Sequence, residues 1–535
     1  MNMSIVKQFD KRSGITYFYD CKSFRDKVTK KPRSTRNLIG RLDEETGQMV
    51  PTDGRMKRAK TKVEVTEVKP IQQAKTDTSK RYYFGATYLL DQIGKELGII
   101  DDLKQCFPDT YKMMLSIVYY LILEDKSPLY RFENWGIRHK HPYGKDIPSQ
   151  RSSDLFMGIT QDKIDDFFRF QRKRRIEDEY LYYDITTISS CSTLLKQVQY
   201  GHNKENDKLP QLNLALVYGE KSELPFYYRK LAGNTPDVKT IKNLLAELDI
   251  LGYTKTKLVM DKGFYSLENI NKMLQESVKF LISTKTSIKI IKDEIDKIYD
   301  IIHQTQNYND TYQLYSTTVP IDWIYEKNKK ANSHKKRRVY LHVYYNLIRM
   351  AEEQNKFDKH LSQLKNELLE GKRIKEHENQ YNQYFIVKGK IPGKIRVTIK
   401  ETEVKQAKRY FGFFTFLSYE NMNSIVALER YRNKDLIEKA FCNLKDRLNL
   451  RRTSVSSESS LEGKLFLEFV ALIYLSYIKK KMQEKKLFKT YTITQLLDKL
   501  DLIECFEYPD RKLRIGEVLD KQRQIYLDMG IKSPL

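Results

Sequence analysis

The chain has 535 residues, of which 40% are hydrophobic, so it can bury a large core and should contain several domains. Lysine and arginine number 96 against 70 aspartates and glutamates, which leaves a net charge of +26. That excess favours a polyanionic partner, with nucleic acid as the first candidate. A membrane surface is the other partner of a basic chain, but these basic residues are spread from end to end rather than gathered beside an apolar anchor.

The sequence offers no support for export or for disulfides. Residues 1–10 lack the apolar core of a signal peptide. The apolar segment 465–478 is short and carries Glu468, which predicts a buried helix and not a membrane span. The cysteines are odd in number, far apart and without CxxC spacing, so we expect a reducing cytoplasm, with neither a disulfide framework nor a zinc site.

Residues 1–75 are predicted to form a small basic β-rich module. Strand-like segments lie at 15–19 and 37–42, with a turn at 44–47. A cluster of cations between the strands could grip DNA, although a merely solvated surface explains it equally well. Its members are Lys27, Lys30, Lys31, Arg33 and Arg36. A polar linker is expected at 70–80.

Residues 80–175 are predicted to be a helical DNA-binding region. Apolar residues keep helical spacing from Tyr88 onwards. The run 169–175 mixes one phenylalanine with five cations, as a segment that binds a nucleic-acid backbone does, and a solvated helix end is its alternative. His139 and His141 superficially suggest a metal-dependent nickase, which the lysine between them and the proline after them disfavour.

The pattern changes to alternating strands and helices between 176 and 283. The predicted strands are 180–187, 212–218, 226–230, 257–260 and 279–283. Thr235, Pro236 and Asp237 open a helix that Gly252 ends, and a second helix is predicted at 267–274. Three successive strands, a helix and a further strand are typical of a ribonuclease-H-like core.

A β-rich insertion domain is predicted at 284–420. It contains strand-like segments and one charged helix near 346–369. Residues 421–455 then return to the core as a helix that carries Glu438, and 456–535 form a C-terminal helical region. The predicted fold class is therefore α/β, with a ribonuclease-H-like core interrupted by a β-rich insertion and flanked by N-terminal and C-terminal DNA-binding or helical regions.

Two aspartates occupy unusual positions in the predicted core. Asp184 lies inside the first strand, where a carboxylate is unfavourable unless it is paired or bound to a cation. Asp261 directly follows the strand 257–260, where an α/β sheet presents side chains to a crevice. Either one alone is more often a turn-forming or hydrogen-bonding aspartate.

A third carboxylate stands on the helix near 431–445. At about 100° per residue, Tyr431, Lys434, Glu438 and Lys445 fall on one narrow stripe, beside an apolar face that can dock on a core. A carboxylate beside cations and an aromatic ring suits a metal ligand whose neighbours hold a phosphodiester backbone. A solvated helix with ordinary ion pairs is the alternative.

Asp184, Asp261 and Glu438, together called the acidic trio below, are more specific as a set. Three carboxylates from two strands and a crossing helix can hold two Mg²⁺ ions about 4 Å apart, with Mn²⁺ as an alternative. One ion activates water or a 3′-hydroxyl and the other stabilises the leaving oxygen. The acidic trio is therefore predicted to be both the catalytic group and the metal-binding group.

These residues resemble the DDE transposases of bacterial insertion sequences, in the insertion-sequence 4 branch with the signature Y-x2-R-x3-E-x6-K. Tyr431, Lys434, Glu438 and Lys445 match its spacing, with lysine where the family has arginine. Asp184, the segment 233–235 and the segment 261–265 are similar to the first and second acidic blocks of the family. The resemblance extends from about 180 to 450.

The resemblance implies a cut-and-paste transposase that acts as a homodimer on double-stranded DNA in the bacterial cytoplasm, near the nucleoid. It would cleave at the terminal inverted repeats of its element and join the 3′-hydroxyl to target DNA. Six residues would contact DNA: Tyr431, Lys434, Lys445, Arg451, Arg452 and Trp323. Trp323 would hold a flipped base by stacking, and its alternative is a core or surface tryptophan.

Two other functions stay open. A host nuclease or resolvase with a ribonuclease-H fold shares the metal chemistry, but it would cut DNA without inverted repeats. A domesticated DNA-binding regulator could keep the architecture without catalysis, which the intact acidic residues disfavour. A metal-dependent cleavage assay and the DNA flanking the gene discriminate among the three.

Overall fold

The computed structural model describes residues 3–11, 13–25, 32–43, 46–52, 79–176, 178–204, 207–328, 333–389, 395–453, 455, 457–508 and 511–535. The chain divides into two compact units, Met1–Asp77 and Thr78–Leu535. Several predicted features lie outside the described residues: Lys27, Lys30 and Lys31 of the basic cluster, Glu44 and Glu45 of the turn, and 70–78 of the linker.

The first unit contains an antiparallel sheet in the order β1-β2-β3-β4. Its strands are β1 Met3–Phe9, β2 Thr16–Arg25, β3 Pro32–Leu42 and β4 Met49–Pro51. The strands predicted at 15–19 and 37–42 fall on β2 and β3. Phe18 and Cys21 of β2 are buried.

The second unit is built on a long mixed sheet. Its strands are β6 Leu181–Ser190, β7 Gln211–Gly219, β8 Pro225–Ala232, β9 Lys257–Met260, β10 Lys279–Thr284, β11 Tyr308–Asn309, β12 Leu314–Asn328, β13 Ser333–Tyr345 and β16 Phe413–Ser418. They lie in the order β11-β12-β13-β16-β10-β9-β6-β7-β8, and β17 Arg452–Thr453 pairs with β6. Smaller sheets pair β14 Phe385–Lys388 with β15 Arg396–Ile399, and β5 Lys80–Tyr83 with β18 Glu504–Glu507 and β19 Arg514–Ile515.

The strands that carry the first two acids form one half of the long sheet. β6, β7 and β8 are antiparallel neighbours, whereas β9 runs parallel to β6 and β10 parallel to β9. Every residue of β6 and β7 is buried, because both faces of the sheet are covered. Burial on both faces explains why these strands read in the sequence as continuous apolar runs.

Helices cover the sheet and form most of the flanking regions. They are α1 Gly85–Glu96, α2 Ile99–Cys106, α3 Tyr111–Leu123, α4 Phe132–Gly136, α5 Ser149–Met157, α6 Gln161–Lys173, α7 Ile241–Ile250, α8 Leu267–Gln275, α9 Lys289–Ile302, α10 Leu347–Leu369, α11 Glu378–Tyr384, α12 Glu401–Lys408, α13 Ser424–Arg432, α14 Asp435–Cys442, α15 Glu458–Glu484, α16 Ile493–Asp501 and α17 Asp520–Asp528.

Helix α15 is the central helix of the helical region and packs on α3, α5 and β8. Its residues from 465 to 478 are all buried, as the sequence predicted for this apolar segment. Gly463 lets α15 approach α5 closely, since an added Cβ would lie 2.4 Å from the Phe156 carbonyl oxygen. In the part of the chain that the structure describes, no helix is both long and apolar enough to cross a membrane.

The inserted segment 284–420 is mixed rather than purely β-rich. Strand β16 pairs with β10 on one side and β13 on the other, so the β12–β13 hairpin extends the core sheet. Helices α10, α11 and α12 surround a separate apolar cluster. Its buried members are Leu361, Leu364, Leu368, Tyr381, Phe385 and Val404.

Candidate active site

The two aspartates of the acidic trio lie side by side in the core sheet. In the parallel pair β6–β9, Tyr183 faces Met260 in register, so Asp184 and Asp261 are the next residues along neighbouring strands. Asp184 is 9% exposed. Asp261 ends β9, and its carboxylate accepts a hydrogen bond from the Lys262 amide at 3.2 Å. The fold therefore presents both carboxylates at one place.

The helix predicted to carry the third acid is broken beside Lys434. Helix α13 ends at Arg432 and α14 begins at Asp435. Between them the Lys434 amide donates to the carbonyl of Tyr431 at 3.1 Å, a step of three residues. The prediction of one continuous helix was wrong, because the apolar spacing continues across a turn in the backbone. The side chains of Tyr431, Lys434 and Glu438 nevertheless meet at one place, as the predicted stripe requires. The turn places the Lys434 side chain against the sheet.

A second departure follows α14. The segment Asn443–Arg447 is a π-helical turn, in which the Leu448 amide donates to the Asn443 carbonyl at 3.0 Å. Lys445 lies in this turn and is half-buried, so its direction does not follow the α-helical period assumed from the sequence. Its contact with DNA stays a prediction.

Lys434 stands at the centre of the acidic trio. Its Nζ lies 3.2 Å from Asp184 Oδ2, 3.5 Å from Asp261 Oδ2 and 3.2 Å from Glu438 Oε1. The lysine side chain is 6% exposed, whereas those of Asp261 and Glu438 are 43% and 60% exposed. Burial would lower the pKa of Lys434, but the three carboxylates outweigh it and raise that pKa above its ordinary value.

Tyr431 holds the second aspartate from another side. Its hydroxyl donates to Asp261 Oδ1, and its ring stacks on Phe416 of β16 with 4.2 Å between centroids. Burial opposes ionisation of Asp261, but the hydrogen bond from Tyr431 and the charge of Lys434 prevail and lower the pKa of Asp261. Burial and the neighbouring Asp261 raise the pKa of Tyr431, so its hydroxyl remains a donor.

Two charged residues beside the trio were missed in the sequence. Lys204 Nζ lies 3.9 Å from Asp184 Oδ1. Asp237 borders the turn after Asp261, since a Cβ added at Gly263 would lie 3.2 Å from Asp237 Oδ2. Burial raises the pKa of Asp237, and the nearby aspartates add to this against the opposing charge of Lys204. The sequence signal for Asp237 is an aspartate that follows a core strand, as Asp261 does. Its position at the start of a predicted helix gave it another explanation.

A cavity of about 510 Å³ opens beside Asp261 and Tyr431. Buried and half-buried aromatic rings line it: Phe413, Phe414, Phe416 and Tyr431. Four exposed cations, called the cationic rim below, also line it: Lys262, Lys285, Arg349 and Arg432. The cationic rim lies next to the carboxylates of the trio, which suits a polyanion whose phosphate must approach those carboxylates.

The remaining predicted DNA contacts differ in their exposure to solvent. Trp323 is 4% exposed, and its indole N–H donates to Asn271 Oδ1 at 2.9 Å. The alternative of a core tryptophan describes this structure, and base stacking would require β12 to part from α8. Arg451 contacts Asp446, and Arg452 lies on β17 beside β6; their side chains are 56% and 65% exposed.

The histidine pair serves packing. His139 Nε2 lies 2.8 Å from Asp501 Oδ2, and its ring stacks on Trp135 with 4.6 Å between centroids. His141 Nδ1 lies 2.9 Å from Ser116 Oγ, and burial lowers its pKa to about 4. Both side chains are engaged in the helical region, which leaves the disfavoured nickase interpretation without support.

The donor set of the acidic trio fits a hard divalent ion. Within the described residues no group of three His, Cys, Asp or Glu side chains is arranged to hold a metal, and Lys434 lies between the carboxylates of the trio. All three nevertheless direct an oxygen at one positive atom, and Mg²⁺ prefers oxygen ligands, at about 2.1 Å. The ammonium group, at 3.2–3.5 Å, holds these oxygens further apart than such an ion would.

Comparison with known proteins gives the family. The model described as transposase DDE domain matches residues 177–474, more than half of the chain, so the chain belongs to the DDE transposase family and that part of the resemblance is confirmed. No curated protein matches the chain. Among solved structures, it is similar to the piggyBac transposase in a cryo-electron microscopy structure of the synaptic complex with hairpin DNA. The two share 11% identity at a TM-score of 0.32, over 77% of this chain and 70% of that one.

Proposed function

We propose that this protein is a cut-and-paste DNA transposase of the insertion-sequence 4 type. It cleaves DNA at the terminal inverted repeats of its element and joins the exposed 3′-hydroxyl to target DNA. The observation that carries the proposal is the convergence of Asp184, Asp261 and Glu438 on one cationic atom. Membership of the DDE family supplies the reaction class.

The topology supports a ribonuclease-H-like core. The strand order β8-β7-β6-β9-β10 combines three antiparallel strands with two parallel ones. The first acid lies within β6, the second follows β9, and the third lies on α14, which contacts β6 and β7. Segments remote in the sequence thus supply one oxygen each to a common point.

The acidic trio would hold the divalent ions, two Mg²⁺ with Mn²⁺ as an alternative. When bound, such ions activate the attacking oxygen and neutralise charge at the phosphate. The residues around the trio orient it: Tyr431 fixes Asp261 by a hydrogen bond, and the Phe416 ring fixes Tyr431. This support keeps the carboxylates in place. Because the ions would activate the attacking oxygen, the reaction would need no covalent protein intermediate.

DNA would lie along the cationic rim and reach the trio from its open side. Tyr431, Lys434, Lys445, Arg451 and Arg452 are the further proposed contacts. Lysine in place of the family arginine at 434 gives a point charge instead of a two-pronged donor, so it can exchange partners more freely. Two element ends must be cut together, so we propose a homodimer on DNA.

The test is cleavage of linear DNA that carries the sequence flanking the gene. With Mg²⁺, the wild type should nick at the repeat ends. Asp184→Asn and Asp261→Asn should each lose about a thousandfold in cleavage rate, the upper range for removing one charge-stabilising group, and should still bind the ends. Asp249→Asn, at an exposed position of α7, is the matched control and should cleave normally.

Full cleavage by Asp261→Asn would contradict the assignment of the trio. Equal cutting of DNA with scrambled ends would instead favour the nuclease or resolvase. Binding of the ends without cleavage by the wild type would favour the regulator.

A further inference from the structure

Lys434 occupies the point at which the acidic trio converges. Its Nζ lies 3.2–3.5 Å from an oxygen of each member. An ammonium group and a divalent ion cannot share this point, because like charges a few ångströms apart repel strongly where little water screens them. Yet Lys434 and Lys204 together balance only two of the three carboxylates, so the trio keeps an excess of one negative charge.

The lysine approaches the trio from the protein interior. Its side chain is 6% exposed, while those of Asp261 and Glu438 are 43% and 60% exposed. It is attached at the turn between α13 and α14, so its flexible four-carbon stem can be redirected without unwinding either helix. The cationic rim lies beside Asp261 and Tyr431, and a phosphate backbone held there would offer the lysine another anionic partner.

We propose that Lys434 is an internal counter-ion that keeps the acidic trio assembled but closed to divalent metal until DNA phosphate draws the lysine away. This inference rests on the proposed function, in which the trio binds metal. Lys434 is thus a positioning residue in the free protein. DNA raises the affinity for metal and, by thermodynamic linkage, metal raises the affinity for DNA by the same factor.

The first measurement is Mn²⁺ binding to the full-length protein without DNA, by calorimetry or by the electron paramagnetic resonance signal of free Mn²⁺. Lys434→Met keeps the length of the side chain and removes its charge. It should bind Mn²⁺ at least about tenfold more tightly than the wild type, a modest effect for removing a unit charge within 4 Å of the ion. Adding Asp261→Asn to this variant should abolish the gain.

The matched control is Lys257→Met. Lys257 is 13% exposed and lies 2.6 Å from Asp178 Oδ1, so it is another largely buried, paired lysine, but one outside the trio. Its replacement should leave Mn²⁺ affinity unchanged. Lys434→Arg, which restores the charge, should return the affinity of the variant toward that of the wild type.

The second measurement uses the wild type and depends on no replacement of the lysine. DNA carrying the element end should tighten Mn²⁺ binding by about tenfold in the wild type. This gain in affinity should equal the gain that Lys434→Met shows without DNA. Ions that the DNA itself binds are subtracted with the Asp261→Asn protein. Equal Mn²⁺ affinity with and without DNA would overturn the inference, as would equal affinity of the wild type and Lys434→Met without DNA.

Failure of the proposed function would give a different result. If the trio is not a metal site, Asp261→Asn will leave Mn²⁺ binding unchanged, both in the wild type and in the Lys434→Met variant. It will also leave cleavage unimpaired. If only the counter-ion inference is wrong, Asp261→Asn will still abolish both metal binding and cleavage, while Lys434→Met binds Mn²⁺ no better than the wild type.

Discussion

Two buried lysines in this protein each face more than one carboxylate, and their surroundings differ. Lys434 Nζ lies within 3.5 Å of the whole acidic trio. Lys230 Nζ lies 2.8 Å from Glu458 Oε2 and 3.5 Å from Glu462 Oε1, both at the start of α15. The lysine side chains are 6% and 8% exposed. The two lysines are thus similarly buried, although one lies in the proposed metal site and the other in an ion-pair cluster between a strand and a helix.

The difference lies in where the carboxylates come from and in how far they are exposed to solvent. The Lys230 cluster has one negative charge in excess, and it joins strand β8 to the first turns of one helix. The Lys434 cluster, in which Lys204 also pairs with Asp184, has one in excess as well, but its carboxylates come from β6, the end of β9 and α14. The side chains of Asp261 and Glu438 are 43% and 60% exposed, against 37% and 25% for Glu458 and Glu462. Oxygen ligands brought together from separate elements at an open side suit a site for a divalent cation, whereas carboxylates on neighbouring turns of one helix tie that helix to a strand.

The largest expected effect separates the two clusters by activity. Glu438→Gln and Glu462→Gln each replace one carboxylate beside a buried lysine by an amide of the same shape. Glu438→Gln should reduce the cleavage rate about a thousandfold, because it removes a proposed metal ligand. Glu462→Gln should leave the rate almost unchanged. A comparable loss in both, measured on the same repeat-end DNA, would mean that the clusters share a structural role.

The sequence predicted the positions of the first two acids because local patterns determine them. β6 and β9 read as apolar runs, and an aspartate inside the first, Asp184, or directly after the second, Asp261, is conspicuous. That Asp184 and Asp261 are neighbours follows from β9 running parallel to β6, which the predicted order of strands and helices already implied.

The sequence placed Lys434 beside Glu438 on one stripe, but it could not predict that Lys434 also lies between Asp184 and Asp261. The apolar spacing that continues from 431 to 448 indicated one helix, and it hid both the turn after Arg432 and the π-helical turn at Asn443–Arg447. The burial of Trp323 against Asn271 was equally hidden, since a contact between β12 and α8 depends on how the insertion returns through β16. Such long-range contacts leave no local pattern.

A carboxylate buried in the helical region extends the comparison to a group with almost no compensation. Glu468 of α15 is 1% exposed, and Lys464 Nζ lies 3.8 Å from its Oε1. Neither of its oxygens accepts a hydrogen bond among the described residues. Burial raises the pKa of Glu468 to about 7, against the weaker opposing effect of Lys464. The folded protein therefore binds this proton more tightly than the unfolded chain does.

Stability should accordingly fall as pH rises from about 4.5 to above 7, by about 3 kcal/mol in the free energy of unfolding. Glu468→Gln removes this titration. The variant should be more stable than the wild type at pH 8 and nearly equal to it at pH 5, as measured by urea unfolding at both values. An equal difference in stability at the two pH values would contradict a raised pKa of Glu468 in the folded protein.

Lys230→Met should change stability without changing metal affinity. It leaves Glu458 and Glu462 beside each other without their shared cation. Because Glu458 is 37% exposed, water screens part of the loss, and we expect about 2 kcal/mol in the free energy of unfolding. Urea unfolding measures that loss, and Mn²⁺ titration should show no gain of the kind expected for Lys434→Met. A gain at Lys230→Met that Asp261→Asn abolishes would erase the distinction between the two lysines.

The smallest expected effects concern cations that face solvent instead of carboxylates of the trio. Lys285 and Arg432 belong to the cationic rim, and the Arg432 guanidinium lies 4.8 Å from the centre of the Tyr312 ring. Replacing either by alanine should weaken binding to repeat-end DNA roughly a few-fold and lower the slope of log affinity against log salt by about one. Lys521→Ala, at an exposed position of α17, is the control and should leave the slope unchanged. Because a phosphate contact carries no base information, the loss should be the same on scrambled DNA; a loss confined to the repeat sequence would instead assign the rim to recognition of the element ends.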